Sequence, residues 1–539
     1  MNHRNNLIFL YFIQTIIFAQ PELRFLPFDW VQYRQTGKVN SISFSDRFAY
    51  IATEYGGLQR FNLFSNRFDE PITMAQGLQS NTITATHRSS NGVLWVATPL
   101  GIEYSFNEEG DWRFINRESL TLPYGVKIER IGESSQDIWL DTPTLVYRLD
   151  PITGVVTGVM GNPDVPVVWS SGLLRFQTDL SNIFIDYSIL NGWMTDLRTL
   201  FNPNGKNMRI TTMAKNKINE LWFGTEDGTF FRGDNSMRTF TPYQFSLGTN
   251  NIKDLEGKDS FWIGGVEDIS TLGISDFDAE RNIADNFYFD ENINMDRLSV
   301  YSIINLKNEI WFGSEDAILV YNIDKDFWRT FNLNFGGNKS WVTSFLNVKD
   351  QVWIGTPNGL LVLDKLSKNA VSVGLEKYFK NIFVYDISLD LDQIFIATDN
   401  GIFIYDLKNK KLYDLKSFGY KSKDFIFPMS HFNFSALTKD KDNIYFANAT
   451  GIISFNFNER TWSNIVNPSI FGGQEIISIA VSNQILFIST VNGLVKYDTR
   501  ENLLETFNYP FLGRVNDMYI KGRKIWLGTS EGLVSYRFR

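Results

Sequence analysis

The stretch QVWIGTPNGLLVLD (351–364) recurs with small changes along the whole chain. Copies are LWVATPLGIEYS (94–105), LWFGTEDGTFFR (221–232), IFIATDNGIFIYD (394–406) and IWLGTSEGLVSYR (525–537). Each begins with a run that is apolar on both faces, which is typical of a strand buried on both sides. A turn that ends in Gly follows, because Gly takes the positive φ that a tight reversal needs. The stretch therefore predicts a β-hairpin that is repeated through the molecule.

The complete repeat is about 42 residues long and holds four short strands, which is the layout of a β-propeller blade. The strand before the hairpin is typified by VYSI (300–303), and the strand after it by WRTF (328–331). The last residue of the first hairpin strand recurs at Thr53, Thr98, Thr142, Thr225, Gly265, Ser314, Thr356, Thr398, Asn448, Thr490 and Thr529. The wide gap after Thr142 is interpreted as a degraded blade at 167–189. The predicted fold is all-β, with tandem or interlocked β-propellers made of about twelve four-stranded blades.

Propellers typically have four to eight blades, so about twelve blades predict two rings. The last repeat ends at Arg537 without a fourth strand, while DWVQY (29–33) looks like a fourth strand without a blade. We expect the two to pair, because pairing removes two open sheet edges. The predicted division places residues 21–155 and 376–539 in one ring and 156–375 in a second, inserted ring. Two consecutive rings of six blades are the alternative.

Residues 1–20 have the pattern of a secretory signal peptide, with Arg4, an apolar run at 7–19 and cleavage after Ala19. The run is too short for a bilayer span, which needs about 20 apolar residues. The sequence therefore predicts an exported protein, periplasmic or at the cell surface, whose mature chain has no transmembrane segment. The net charge of -9 and the lack of a basic run argue against a nucleic-acid partner.

The chain has no cysteine, which excludes disulfides and a lipid-modified N-terminal cysteine. Its histidines are His3, His87 and His431, so a Cys/His zinc site is excluded and an imidazole-based triad would have to use His87 or His431. No cofactor and no metal are expected. Paired carboxylates at Asp390/Asp392 and Asp440/Asp442 are interpreted as solvated turn residues, with a weak calcium site as the alternative.

VWIGTPNGL (352–360) and IWLGTSEGL (525–533) resemble the two-component regulator propeller repeat, whose hallmark is apolar-Trp-apolar-Gly-Thr-x-x-Gly-Leu. The resemblance covers residues 49–537. It implies β-propellers like those in the periplasmic sensors of hybrid histidine kinases, which often read polysaccharide fragments. The stretch 29–45 also resembles the PorZ-like double-propeller accessory proteins of type IX secretion, although this sequence ends at the last repeat, before the C-terminal domain of those proteins.

Short polar residues recur at the third position of the innermost strand, where strands of a propeller converge on the axis. They are Ser41, Asp254, Ser302, Ser344, Asp386, Ser478 and Asp517. They predict a wet channel with Asp254, Asp386 and Asp517 as ligand-binding candidates; crowding with local hydrogen bonding is the alternative. Trp341 is expected at a channel mouth. Trp169 and Trp193 fit no repeat position and are candidates for stacking on a sugar or anchoring a partner, against ordinary packing.

No catalytic motif of the common hydrolase, metalloprotease or phosphate-binding types appears. The predicted function is a non-enzymatic, sensor-type recognition protein that binds a polysaccharide or a protein. An accessory role in type IX secretion is the alternative, and a propeller lyase or glycosidase is a third. The sequence does not name the ligand or the oligomeric state.

Overall fold

The computed structural model describes residues 25–538, apart from 108–109, 172–183, 258–259, 267–271, 289–298, 334–339, 428–432 and 467–473. The predicted signal peptide and His431 lie outside the described residues. Within them the structure is built from β-strands, with short 3-10 helices at Met74–Gln76 and Pro510–Leu512. The predicted all-β propeller fold is confirmed.

The chain forms two compact units. The first consists of Thr36–Gln244, with the described residues up to Gln32 and with Tyr509–Phe511. The second consists of Tyr33–Gln35, Phe245–Asn508 and the residues from Leu512 onward.

In the part of the first unit that the structure describes there are four blades of four antiparallel strands, β2–β5, β6–β9, β10–β13 and β19–β22, and a small three-stranded sheet, β16–β18. Numbered along the chain after β1 (Trp30–Tyr33), its strands are β2 (Val39–Phe44), β3 (Phe48–Thr53), β4 (Leu58–Asn62), β5 (Arg67–Ile72), β6 (Ala85–Arg88), β7 (Leu94–Thr98), β8 (Gly101–Ser105), β9 (Arg113–Asn116), β10 (Arg130–Glu133), β11 (Ile138–Asp141), β12 (Val146–Leu149), β13 (Val156–Met160), β14 (Val168–Trp169), β15 (Ser188–Ile189), β16 (Met194–Thr195), β17 (Leu200–Phe201), β18 (Asn207–Met208), β19 (Ile210–Lys215), β20 (Leu221–Thr225), β21 (Phe230–Asp234) and β22 (Thr239–Tyr243).

The described residues of the second unit form seven blades. Its strands are β23 (Ile252–Gly257), β24 (Phe261–Gly265), β25 (Ile274–Asp278), β26 (Ile283–Asn286), β27 (Ser302–Asn305), β28 (Glu309–Gly313), β29 (Ala317–Asn322), β30 (Phe327–Asn332), β31 (Ser344–Val348), β32 (Gln351–Thr356), β33 (Gly359–Asp364), β34 (Val384–Asp390), β35 (Gln393–Thr398), β36 (Gly401–Asp406), β37 (Lys411–Asp414), β38 (Tyr420–Lys421), β39 (Ala436–Lys439), β40 (Asn443–Asn448), β41 (Gly451–Asn456), β42 (Thr461–Val466), β43 (Ile476–Ser482), β44 (Ile485–Thr490), β45 (Gly493–Asp498), β46 (Leu503–Phe507), β47 (Val515–Lys521), β48 (Lys524–Thr529) and β49 (Gly532–Arg537).

The innermost strands of the second unit follow one another in a closed ring. The order of contact is β23, β27, β31, β34, β39, β43 and β47, and β47 then contacts β23. The sheet of the last blade runs β1-β49-β48-β47, so the N-terminal strand completes it as the sequence predicts. Tyr33 of β1 packs against Phe277 and Trp526 of the second unit, with ring centroids 5.1 and 6.1 Å apart.

The predicted ring boundaries at 155/156 and 375/376 are wrong. By strand pairing, one ring consists of β1 and β23–β49 and so contains both ends of the described chain, and Thr36–Gln244 is the inserted unit. The insertion therefore begins directly after β1 rather than near the degraded repeat at 167–189. Pairing of β1 with β49 closes the ring wherever the other unit is inserted. The predicted pairing therefore did not determine the position of the insertion in the sequence.

The predicted degraded blade at 167–189 is also corrected. Within its described residues, β14 adds to the inner edge of β10, and β15 pairs in parallel with β22. These segments extend two neighbouring blades instead of forming a third, because two-residue strands cannot bury a blade face of their own.

The threonine at the end of the first hairpin strand is hydrogen-bonded to the turn. The hydroxyl of Thr356 donates to Gly359 O at 2.8 Å, and Thr398 and Thr529 make the same turn bond to Gly401 and Gly532. Side chains of the hairpin strands fill the space between blades; Trp222, Trp311 and Trp353 are at most 1% exposed. The core of each unit therefore lies between successive blades, and the innermost strands carry the residues nearest the axis.

Candidate functional site

The three aspartates predicted from the third position of the innermost strand bind backbone of the neighbouring blade or of their own strand. Leu255 N donates to Asp517 Oδ2 at 3.0 Å, and Ile303 N donates to a carboxylate oxygen of Asp254. Asp386 Oδ1 accepts from Ile387 N at 2.7 Å. The aspartates on β23 and β47 thus fasten successive innermost strands to each other.

The same position works in the same way in the first unit. The hydroxyl of Ser41 on β2 accepts a hydrogen bond from Thr86 N of the next blade at 3.3 Å. Local hydrogen bonding, one of the two interpretations of this sequence pattern, is therefore present in both units. The ligand-binding role of Asp254, Asp386 and Asp517 stays a prediction.

Asp254, Asp386 and Asp517 are half-buried as whole residues, and their carboxyl groups lie in the buried part. Burial raises the pKa of Asp386, on β34, to about 7. Burial also raises the pKa of Glu256, on β23, to about 7. Burial, with the charge of Asp517 beside it, holds the pKa of Asp254 well above its usual value, and burial raises the pKa of Asp517. Asp386 and Glu256, on innermost strands of the second unit, thus hold protons up to near neutral pH.

Trp341 lies on an aromatic surface at the end of the second unit where innermost strands begin. It is 39% exposed, and its ring centroid lies 6.3 Å from that of Tyr301 and 6.0 Å from that of Phe383. Phe383 stacks on Tyr385 at 4.3 Å. We call Tyr301, Trp341, Phe383 and Tyr385 the aromatic platform; it spans the blades of β27, β31 and β34.

Carboxylates border the aromatic platform. Tyr301 donates its hydroxyl to Glu315 Oε1 at 2.9 Å, and Phe383 N donates to Asp399 Oδ1 at 3.0 Å. Burial, and next the hydrogen bond to Glu315, raises the pKa of Tyr301, so its hydroxyl stays protonated and donating. Flat apolar faces beside hydrogen-bond acceptors suit a ligand that has both apolar C–H faces and hydroxyl groups.

The two remaining tryptophan candidates have different surroundings. Trp193 is 8% exposed and packs edge-on against Phe231 at 4.9 Å, so it is a core residue and its predicted role in stacking on a ligand is wrong. Trp169 is half-buried on β14, and the guanidinium of Arg130 lies over its ring at 4.2 Å. Trp169 borders a cavity of about 480 Å³ in the first unit.

This cavity lies between the segment of β10 and β14 and the hairpin of β19 and β20. Its lining residues are Arg130, Trp169, Ser170, Ser171, Met213, Ala214, Lys215 and Leu221. Gly132 of β10 admits β14 to this position, since a Cβ there would lie 2.7 Å from Val168 O and 2.8 Å from the Trp169 ring.

A buried histidine stands behind the cavity wall. His87 of β6 is 4% exposed, and its Nδ1 is hydrogen-bonded to the hydroxyl of Ser170. Its Nε2 lies 3.8 Å from Glu133 Oε2. Burial opposes ionisation of Glu133, but the nearby imidazole of His87 and the hydrogen bonds from Ser90 outweigh it and lower the pKa of this carboxyl.

Sequence reasoning missed this grouping. His87, Ser170 and Glu133 come from three separate segments, and no motif spacing links them. The scarcity of histidine in the chain was the one available signal, and it pointed to His87 without naming its partners.

The acidic turns contain ordinary turn hydrogen bonds. Asp440 Oδ1 accepts from the backbone N–H groups of Asp442 and Asn443 at 2.9 and 2.8 Å. Among the described residues, no group of three or more His, Cys, Asp or Glu side chains is arranged to hold a metal ion. In that same part of the chain, no helix combines the length and apolar character needed to cross a membrane.

No protein-family model matches the sequence, and no curated protein matches it. Solved structures do match. The extracellular domain of a protein described as the one component system BT4673 from B. thetaiotaomicron has 16% identity and a TM-score of 0.43, over 93% of this chain and 71% of that one. The corresponding domain of the hybrid two component system BT3049 from the same organism has 18% identity and a TM-score of 0.41, over 93% and 75%. Virginiamycin B lyase from Staphylococcus aureus has 14% identity and a TM-score of 0.41, over 53% and 94%. Similarity at this level identifies neither a ligand nor an activity.

Proposed function

We propose that the protein is an exported recognition protein of sensor type whose second unit binds a polysaccharide fragment on the aromatic platform. The observation that carries the proposal is the exposed ring of Trp341 among three further aromatic rings, at the end of the ring where the innermost strands begin. Exposed aromatic side chains that cluster in this way are the residues on which binding energy usually concentrates.

The chemistry of the platform favours a sugar. A pyranose ring presents C–H groups that stack on an aromatic face, and its hydroxyls donate to carboxylates such as Glu315. Tyr301 and Glu315 are already hydrogen-bonded, which fixes both groups before a ligand arrives. Such prior ordering reduces the entropy that binding costs. Recognition at this site requires no chemical change in the ligand.

The test is a glycan array with the chain that begins at residue 21, followed by calorimetry on any oligosaccharide that binds. We expect Trp341→Ala to weaken binding at least tenfold, which corresponds to the loss of about 1.4 kcal/mol. Tyr378→Ala is the matched control, because Tyr378 is an aromatic residue of the second unit that is 64% exposed and lies outside the platform.

Equal affinity of the Trp341→Ala and Tyr378→Ala variants for the glycan would show that the glycan does not bind on the aromatic platform. If no glycan binds and a protein is captured in a manner that depends on Trp341, the polysaccharide proposal is wrong and the protein-binding alternative replaces it.

A further inference from the structure

Beside the cavity of the first unit, the hydroxyl of Ser170, the imidazole of His87 and the carboxylate of Glu133 are in successive contact. Ser170 faces the cavity and is half-buried, whereas His87 is almost fully buried behind it. The contacts that start at the cavity therefore run from Ser170 Oγ to His87 Nδ1, and from His87 Nε2 to Glu133 Oε2, whose side chain is 21% exposed. Nucleophile, general base and orienting carboxylate follow one another in the same way in hydrolases that use a serine nucleophile.

Catalysis by this pair requires the tautomer of His87 in which Nδ1 accepts a hydrogen bond from the Ser170 hydroxyl. The proton of the neutral ring is then on Nε2, on the side of Glu133. The 3.8 Å from Nε2 to Glu133 Oε2 is an electrostatic contact rather than a hydrogen bond. Glu133 is held in place by Ser90, whose backbone N–H donates to Glu133 Oε2 at 2.9 Å and whose hydroxyl donates to it at 3.1 Å.

We propose that Ser170 is a nucleophile and His87 its general base in a site that hydrolyses small carboxylic esters, with Glu133 as a positioning residue. Met213, Ala214 and Leu221 give the cavity an apolar wall, and Lys215 gives it positive charge, whereas Arg130 is ion-paired with Asp141 at 2.6 Å. An ester fits such a space because its acyl chain is apolar and its carbonyl oxygen becomes negative during attack. This inference concerns the first unit and does not rest on the sugar-binding role of the aromatic platform.

The reaction balances with these groups and water. Ser170 Oγ bonds to the carbonyl carbon as its proton passes to His87 Nδ1, and the carbonyl electron pair moves to oxygen. When the carbonyl re-forms, the ester C–O bond breaks, and the leaving alkoxide takes the proton from Nδ1. A water molecule then attacks the acyl-serine with His87 again as base, which releases the acid and returns the proton to Ser170. The carboxylate of Glu133 stabilises the imidazolium in both halves.

The pairing of β14 with β10 positions Ser170 beside His87. Trp169 pairs with Gly132 across β14 and β10, and Ser170 N donates to Ile131 O at 3.1 Å. A Cβ at Gly132 would overlap β14. The Gly132→Ala substitution should therefore push Ser170 away from His87 without changing Ser170, His87 or Glu133 themselves.

The experiment is labelling of the chain that begins at residue 21 with a fluorophosphonate probe, with the modified residue identified by mass spectrometry, and hydrolysis of p-nitrophenyl acetate. We expect the probe on Ser170. Ser170→Ala and His87→Gln should lower the labelling rate at least 100-fold, because general-base catalysis contributes about 10²–10⁴-fold; Gln can hydrogen bond but cannot take a proton. Gly132→Ala should lower the rate as well.

Glu133→Gln separates positioning from a merely structural role. Because Glu133 does not touch the ester, we expect kcat for p-nitrophenyl acetate to fall about tenfold with KM unchanged. Ser236→Ala is the matched control and should change nothing, since Ser236 is an exposed serine of the first unit whose hydroxyl donates to Asp234 at 2.6 Å and has no imidazole beside it.

Labelling of the wild-type protein is informative even if a variant fails to fold. If Ser170 in the folded wild-type chain reacts no faster than Ser236, the proposal is overturned, and the bond from Ser170 to His87 serves only to hold β14 in place. Equal labelling of the wild type and His87→Gln would overturn it too.

Discussion

At the scale of single residues, glycines of the first hairpin strand hold the blades at their spacing. A Cβ at Gly224 would lie 2.4 Å from Val39 Cγ1 on the innermost strand of the next blade, and one at Gly313 would lie 2.4 Å from Val342 Cβ. A Cβ at Gly528 would lie 2.8 Å from Ile252 Cγ2, at the place where the ring of the second unit closes. The glycine near the end of the first hairpin strand therefore serves packing between blades.

Gly224→Ala should lower the free energy of unfolding by about 1–3 kcal/mol, because an added methyl group in a filled core forces the neighbouring strand to shift. Chemical denaturation measures this. Gly161→Ala is the control in the same unit, since a Cβ at Gly161 meets nothing within 4 Å, and we expect a change within about 0.5 kcal/mol. Equal effects of the two substitutions would contradict the packing role.

Trp526→Ala should lower the free energy of unfolding by about 3–5 kcal/mol, the usual loss for a buried aromatic side chain. Trp526 is 3% exposed and packs against Phe261 at 4.9 Å and Phe277 at 5.8 Å, across the seam where the last blade of the second unit meets its neighbour. Trp341→Ala removes an exposed tryptophan from the same unit and serves as the comparison. Denaturation midpoints that are equal for the two variants would refute the seam assignment.

At the scale of elements, β1 is the clasp of the second unit. It supplies the outer strand of the last blade, and Arg34 behind it donates to Glu531 Oε2 at 2.7 Å. The sequence predicted this strand from its composition and from the missing fourth strand at the other end. It did not predict that the first unit is inserted directly after β1.

A chain that begins at residue 37 should melt at a lower temperature or self-associate, because removal of β1 leaves β49 with a row of unpaired backbone groups. A chain that begins at residue 25 keeps β1 and is the control. Calorimetry together with light scattering distinguishes the two outcomes. A truncated chain that stays monodisperse and melts with the control would show that β1 contributes nothing to closure.

At the scale of the whole molecule, acids along the axis of the second unit couple folding to pH. Burial raises the pKa of Asp386 from 3.8 to about 7 in the folded chain. A carboxyl whose pKa is raised by folding contributes stability below its unfolded pKa, and that contribution is lost as the pH rises through the folded value. The shift corresponds to about 4 kcal/mol by the conversion of 1.36 kcal/mol per unit.

We therefore expect the stability of the second unit to fall between about pH 4 and pH 7, with Glu256, Asp254 and Asp517 acting in the same direction. Melting temperatures measured at pH 5 and pH 8 give the slope, and Asp386→Asn should reduce it, because an amide does not ionise. The same slope in the variant and in the wild type would show that Asp386 is not desolvated at the axis.

The sequence by itself determined the blade. Its hairpin strand, turn threonine and turn glycine follow from local conformation and alternating burial, and these repeat wherever the pattern repeats. The aromatic platform was partly accessible as well, because Trp341 stood out at the start of an innermost strand, whereas its neighbours Tyr301 and Phe383 did not.

Only the tertiary structure decided which blades share a ring and which side chains meet. The boundary at 244/245 follows from contacts between blades, and all blades present nearly the same sequence at those contacts, so the pattern contains no information about their order. His87, Ser170 and Glu133 meet because β14 pairs with the inner edge of β10 at Gly132. This pairing lies where the sequence departs from the repeat, and there the repeat pattern cannot predict which residues are in contact.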